Sequence, residues 1–409
     1  MIGDFAMFRL THFLRDLHRP GPLGPPRPAT GPVVIWNLIR RCNLLCRHCY
    51  SVSGDVHFPG EMTTAEVKAV MADLKAAGVP AIILSGGEPL MRPDLFEIAR
   101  HGKDMGFAMS LSSNGALIDA AAAGRIAAAG FDYVGVSLDG IGAVHDRFRG
   151  QEGAFAASLA GIRHLSDHGV RVGLRYTMTA DNAASFPDLL DLMKAEACTK
   201  FYLSHLVYAG RGNKNRAEDA AHRATRAAVT TLIETAWADV QAGADREYVT
   251  GNNDADGVLL LMWARERMPE RADRLEARLA AWGGNASGVG VANIDNLGQV
   301  HPDTFWWDYS LGNVKDRPFG AIWADISDPL MRGLKQRPRR ISGRCGQCRH
   351  FHLCGGNTRV RAWRLTGDPF AEDPACYLDD REIGLDAAHD RVTVTPYRGQ
   401  RHEAPSLIA

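Results

Sequence analysis

The sequence predicts an α/β fold: an open, partial (β/α)6 barrel, a bridging helical segment and a small cysteine-rich C-terminal domain. Three observations carry that expectation. Six short apolar, β-branched runs alternate with helical patterns between residues 33 and 206, the order that winds a parallel sheet in one hand. Six such units are too few to close an eight-stranded barrel, so the arc stays open. Beyond it the pattern turns helical, and seven of the eight cysteines form two compact sets, one near each end of the chain.

The elements follow in order. MFRLTHFLRDLHRP alternates charge with apolar residues and reads as a short amphipathic helix, with Met7 as a possible start of translation. RPGPLGPPRPATGP is a stiff, polyproline-prone linker that completes an N-terminal unit of residues 1–32. Strands are expected at 33–39, 81–85, 107–112, 133–138, 171–177 and 200–206. Helices are expected at 63–77, 92–105, 119–129, 155–168 and 184–196, and the barrel unit at 33–215. Helical patterns at 217–241 and 255–282, the second divided by Pro269, make up a bridge of residues 216–285. In that second pattern ARERMPERADRLEARLA carries both charge signs and a Glu270–Arg274 spacing of i,i+4, the pattern of a solvated helix face. Residues 286–385 hold the second cysteine set, and 386–409 form a tail.

Composition excludes several classes. With 409 residues and 45% hydrophobic content the chain has ample material for a core of two or three domains. Lys plus Arg and Asp plus Glu both total 47, so no global field favours nucleic acid or a membrane surface. No run reaches the roughly 18 apolar residues that span a bilayer, and the N-terminus lacks the apolar core of a secretory signal. Clustered cysteines in such a composition read as metal ligands rather than disulfides, which places the protein in a reducing cytoplasm.

Cys42, Cys46 and Cys49 follow the first strand with spacing C-x3-C-x2-C. Three thiolates are one short of the four that close a cubane cluster or a zinc site, leaving one coordination position for a small molecule. Half of a zinc site completed by His48 or His57 is the alternative, although zinc favours C-x2-C pairs. AIILSGGEPL then places Gly86, Gly87, Glu88 and Pro89 directly after a strand. The glycines admit close backbone approach, and the carboxylate and carbonyls suit a cationic amine.

RCNLLCRHCY followed by SGGEP resembles the radical S-adenosylmethionine (SAM) superfamily. The resemblance implies a TIM-like partial barrel and a 4Fe-4S cluster on Cys42, Cys46 and Cys49. Its open iron would be chelated by the methionine moiety of S-adenosylmethionine, with the GGEP segment beside the amine. It further implies reductive cleavage to a 5′-deoxyadenosyl radical, fed by an external low-potential electron donor. Ser112 in LSSNG and Ser137 in SLDG, with Asp139 and Arg175 as weaker members, would contact the cofactor's ribose or carboxylate. All four lie near strand C-terminal ends, where such folds gather their chemistry; Asn-Gly and Asp-Gly turns are the plainer explanation of the two serines.

Cys345, Cys348, Cys354 and Cys376 form a complete ligand set, so either structural zinc or a closed cluster fits. The stretch resembles a SPASM/Twitch extension, which implies an auxiliary 4Fe-4S cluster. Asp303 and Thr358 stand where fuller extensions carry further cysteines, which implies one auxiliary cluster and not two, suited to electron transfer. Cys198 belongs to neither set and reads as a small buried hydrophobe. Residues 332–364 hold nine arginines, one lysine and no acid. They read as offsetting a negative cluster and as facing a polyanion through bidentate Arg–carboxylate pairs, with a merely solvated basic face as the alternative.

From Met7 to past Cys376 the chain resembles the radical SAM proteins of heme d1 biosynthesis, through MFRLTHFLRDL, GPVVIWNLIRRCNLLCRHCY, HFPGEMT, ILSGGEPLMRPDLFEIAR, LSSNG and CGQCRHFHLCGGNTRVRAW. The resemblance implies a siroheme-derived tetrapyrrole substrate, 12,18-didecarboxysiroheme, which loses two propionate side chains on the way to the oxo groups of a denitrification cofactor. His205, His350 and His352 are candidate acids or axial ligands with no signal that singles one out, so the catalytic acid or base is unassigned. Related tetrapyrrole decarboxylases, peptide-modifying SPASM enzymes and a non-catalytic metal-binding regulator are the rival readings.

Overall fold

In the computed structural model, residues 7–19, 31–385 and 391–397 are described; most of the proline-rich linker and the end of the tail lie outside them. Seven strands run parallel in chain order: β1 (Val33–Ile39), β2 (Ala81–Gly86), β3 (Ala108–Ser113), β4 (Tyr133–Ser137), β5 (Val172–Met178), β6 (Lys200–His205) and β7 (Glu247–Gly251). β8 (Val291–Ile294) adds parallel to β1 on its other side, and β9 (Gln299–His301) and β10 (Gly312–Asn313) continue antiparallel. One ten-stranded sheet therefore runs through both cysteine-bearing regions.

The six expected strands are present with ends shifted by a residue or so. β7, like β8 to β10, is an addition: it lies between the two helical patterns of the bridge, where five residues, EYVTG, are too few to show a period beside two long helices. A short helix, Ala143–Arg149, was likewise not anticipated. The other helices pack outside the arc. Helix Thr64–Ala76 opens with a capping box between Thr63 and Glu66, and Pro269 divides the later helices into Ala255–Arg267 and Pro269–Trp282.

The N-terminal helix Leu10–His18 buries Leu10, Phe13, Leu14 and Leu17, and Phe8 pairs by backbone with Thr250, covering the edge of β7. Phe8 stacks on Phe13 at 5.0 Å and meets Trp282 at 5.1 Å. The charged helix Pro269–Trp282 is thus not simply a solvated face. Arg271 and Arg274 donate to the Leu17 and Asp16 carbonyls, and Arg278 pairs with the Asp16 carboxylate, so this helix holds the N-terminal one. Glu270 meets Arg271 rather than its i+4 partner. Cys198 is buried in the main core.

Candidate active site

The loop that follows β1 is fastened from several sides. Cys42 N–H donates to the Gly54 carbonyl at 3.0 Å, and Leu45 N–H to the Arg149 carbonyl at 3.1 Å. The Arg211 guanidinium donates to the carbonyl oxygens of Cys46 and Ser53 at 2.7 and 2.8 Å. These bonds turn Cys42, Cys46 and Cys49 into one chamber at the C-terminal ends of the strands. Gly86 and Gly87 enter the same chamber from β2. A Cβ on Gly86 (φ +148°) would lie 2.2 Å from the Ile39 carbonyl, and one on Gly87 2.2 Å from that of Arg41. Only glycine lets the two strand ends approach this closely.

Glu88 has a different place from the one expected. It is fully buried, and its carboxylate accepts from Leu90 N–H, Ser113 Oγ–H and Asn114 N–H, at 3.2, 2.9 and 2.8 Å. It therefore ties β2 to β3 instead of lining the chamber, and burial pushes its acid up to about 7. Pro89 is buried and opens the short 3-10 turn Pro89–Met91. Asn114, from the LSSNG segment, reaches Asn43 Oδ1 at 2.8 Å and so braces the cysteine loop.

Ser112, Ser137 and Arg175 line the chamber on adjacent strands β3, β4 and β5. Arg175 donates to Ser112 Oγ at 3.0 Å and lies over the Tyr202 ring at 5.1 Å. Asp139 is not in that wall. Its carboxylate pairs with Arg149 and accepts from Thr177 N–H at 2.6 Å. Arg149 in turn donates to Cys46 Sγ at 3.3 Å, so Asp139 reaches that sulfur through an arginine that sequence reading passed over. His48 also lines the chamber and meets the Phe148 ring at 4.8 Å.

A second chamber lies deeper inside the arc. Ile35, Ile83, Arg175, Tyr202, Thr304 and Phe305 line both, so the two adjoin. Its far wall comes from the C-terminal region and includes Asp303 and Thr358.

Cys345, Cys348, Cys354 and Cys376 enclose a small cavity against Ala255, Val258 and Leu378. Burial pushes all four thiols up, Cys376 to about 12, while Arg344 and Arg359 oppose the rise. The arginine-rich stretch is divided, with Arg332, Arg337, Arg340 and Arg349 exposed. Arg339, Arg344, Arg359 and Arg361 are buried, and they spend their donors on carbonyl oxygens such as Leu334, Leu378, Ala371 and Leu206, and on Asp373 and Asp380. A run of like charges looks solvated in sequence, yet each of these four buried guanidinium groups ties irregular segments together. Of the candidate histidines, His205 pairs with Asp256 at 2.9 Å, His350 is buried, and His352 is at the surface near Glu276.

The radical SAM superfamily model matches residues 36–193. The chain is 53% identical over 399 residues to pre-heme d1 synthase of Dinoroseobacter shibae, covering 97% of this chain and 98% of the relative. The chain belongs to the radical SAM superfamily. It is also 44% identical over 356 residues to Fe-coproporphyrin III synthase of Methanosarcina barkeri, covering 86% and 89% of the two chains. Among solved structures, Streptococcus suis SuiB bound to S-adenosylmethionine shares the fold, with a TM-score of 0.66 at 15% identity over 85% of this chain and 78% of that one.

Radical SAM proteins bind S-adenosylmethionine and a 4Fe-4S cluster, and the residues of the outer chamber fit both. Cys42 Sγ accepts from Leu44 N–H at 3.5 Å and Cys49 Sγ from Ser53 N–H at 3.4 Å, while Cys46 Sγ faces Arg149. Donors aimed at sulfur stabilise thiolates. Burial, helped by the neighbouring Cys46, Glu88 and Cys49, pushes Cys42 up to about 12, which leaves an inert thiol unless a bound cation supplies the opposite charge. The second set repeats this, with His350 N–H on Cys348 Sγ at 3.3 Å and Gly356 N–H on Cys354 Sγ at 3.4 Å.

Proposed function

We propose that this radical SAM enzyme acts in heme d1 biosynthesis, removing two propionate side chains from 12,18-didecarboxysiroheme. The observation that carries the reading is 53% identity to a pre-heme d1 synthase along nearly the full length of both chains. The Methanosarcina relative, named for an iron tetrapyrrole, supports the substrate class.

In this reading Cys42, Cys46 and Cys49 hold the catalytic cluster. When bound, the cluster and S-adenosylmethionine supply a radical strong enough to abstract hydrogen from an unactivated C–H. Gly86 and Gly87 offer backbone at the methionine end, while Ser112, Ser137 and Arg175 offer hydroxyl and guanidinium donors to ribose and carboxylate. Cys345, Cys348, Cys354 and Cys376 hold one auxiliary cluster, with Arg344 and Arg359 offsetting its charge. Tyr50 and Phe305 line the chamber with ring centroids 5.5 Å apart, Trp307 stands behind them 6.0 Å from Tyr50, and this aromatic edge suits a flat macrocycle.

The test is anaerobic turnover of reconstituted enzyme with 12,18-didecarboxysiroheme, a low-potential reductant and S-adenosylmethionine. The expected result is 5′-deoxyadenosine together with a tetrapyrrole that has lost both propionates. Cofactor cleavage with unchanged tetrapyrrole mass sinks the substrate assignment and leaves the superfamily untouched.

A further inference from the structure

The inner chamber has a built polar wall that the chemistry above does not use. Asp254, in the loop after β7, is 8% exposed; Thr358, before helix Arg359–Thr366, and Ser110, on β3, are each 2% exposed. Among the described residues Asp254 Oδ2, Thr358 Oγ1 and Ser110 Oγ have no hydrogen-bond partner, although the Asp254 carboxylate also faces the Asn285 amide. Three buried polar atoms without partners around one chamber cost stability. Such a cost is expected where a ligand completes the hydrogen bonds. The opposite wall carries Arg175 and Lys200; Lys200 is held by Glu247 at 3.0 Å, whereas Arg175 also borders the outer chamber.

The ligand that fits is an anion with two acceptor oxygens. Arg175 supplies charge, and the Thr358 hydroxyl supplies a donor. Asp254 serves as a donor only as the neutral acid, and burial pushes it up to about 7. The groups that face it are Asn285 and Arg339, Arg361 on helix Arg359–Thr366, Asp256 on the next helical turn, and Tyr202 on β6. Asp303 also faces the chamber, but its carboxylate accepts from Ser287 Oγ–H and Phe305 N–H.

We propose that the inner chamber is the subsite for one carboxylate arm of the substrate, recognised by Asp254 and Thr358 on the C-terminal wall, with Arg175, shared with the cofactor side, supplying positive charge from the barrel wall. This rests on the tetrapyrrole reading above and deepens it: the macrocycle sits at the aromatic rim and one acidic side chain reaches into the arc. Below about pH 7 Asp254 donates to the arm; above it, the ionised carboxylate repels the arm.

The test is the dissociation constant of 12,18-didecarboxysiroheme and of its methyl ester for the cluster-loaded enzyme, followed by tetrapyrrole absorbance from about pH 6 to about pH 8. Affinity for the free acid should fall as pH rises, and the ester should bind weakly with no slope. D254A and T358V should each weaken free-acid binding by about tenfold at low pH, one lost buried hydrogen bond. D254N, whose amide donates at every pH, should keep affinity and lose the slope, which separates recognition from misfolding. Free-acid binding that ignores D254A, D254N and T358V overturns this proposal alone. No tetrapyrrole binding by the unsubstituted enzyme overturns the substrate reading, and this proposal with it.

Discussion

Arg149 donates to Cys46 Sγ at 3.3 Å while its other terminal nitrogen pairs with Asp139, and both side chains are almost wholly out of solvent. Removing one partner of such a pair strands the other charge. R149M should therefore lower unfolding free energy by about 3–5 kcal/mol, and R149M/D139N should regain most of it, read as urea midpoints under anaerobic conditions. A single variant as stable as the parent contradicts the assignment. Much of the site was legible at this scale, since the cysteine spacing and the GGEP glycines declare their chemistry locally. Asp139 and Glu88 show the limit. Both sit in recognisable motifs, yet each spends its carboxylate on neighbours from other strands.

The two cysteine sets hang on different elements. The first lies in the loop between β1 and helix Thr64–Ala76; the second is spread over the short helices Gly343–Gln347 and Phe351–Cys354 and the loop bearing Cys376. Because no cysteine is shared, loss of either of the two proposed clusters should spare the other. C376A should about halve the iron content of anaerobically reconstituted protein and keep reductive cleavage of S-adenosylmethionine above the level of a C42A control. Equal loss of both clusters would refute independent sites. Element legibility followed length: helices and strands with several periods announced themselves, whereas β7, β9 and β10 were too brief to do so.

Across the whole molecule, Arg361 joins the barrel to the second cysteine set. It is fully buried, pairs with Asp373 at 2.6 Å, and donates to the carbonyls of Leu206 after β6 and Asn252 after β7. R361M should cost about 3–5 kcal/mol by leaving Asp373 unpaired, with R361M/D373L recovering part of the loss. Faster proteolysis between residues 366 and 376 should accompany it, and an unchanged cleavage rate would argue against this role. The arginine-rich stretch was visible in sequence as a block of charge, but its use was not. Whether a guanidinium meets solvent, substrate or a carbonyl oxygen depends on which segments surround it.

By itself the sequence determined the alternating strands and helices, the two sulfur sets and the glycine approach beside the first, because periodicity, ligand spacing and the missing Cβ act over a few residues. Only the tertiary structure decided that β8 extends the barrel sheet into the C-terminal region, that Arg339, Arg344, Arg359 and Arg361 are internal, and that Asp254, Thr358 and Arg175 face one chamber. Those facts depend on contacts between residues far apart in the chain, and burial and hydrogen-bond partners exist only once the chain has closed on itself.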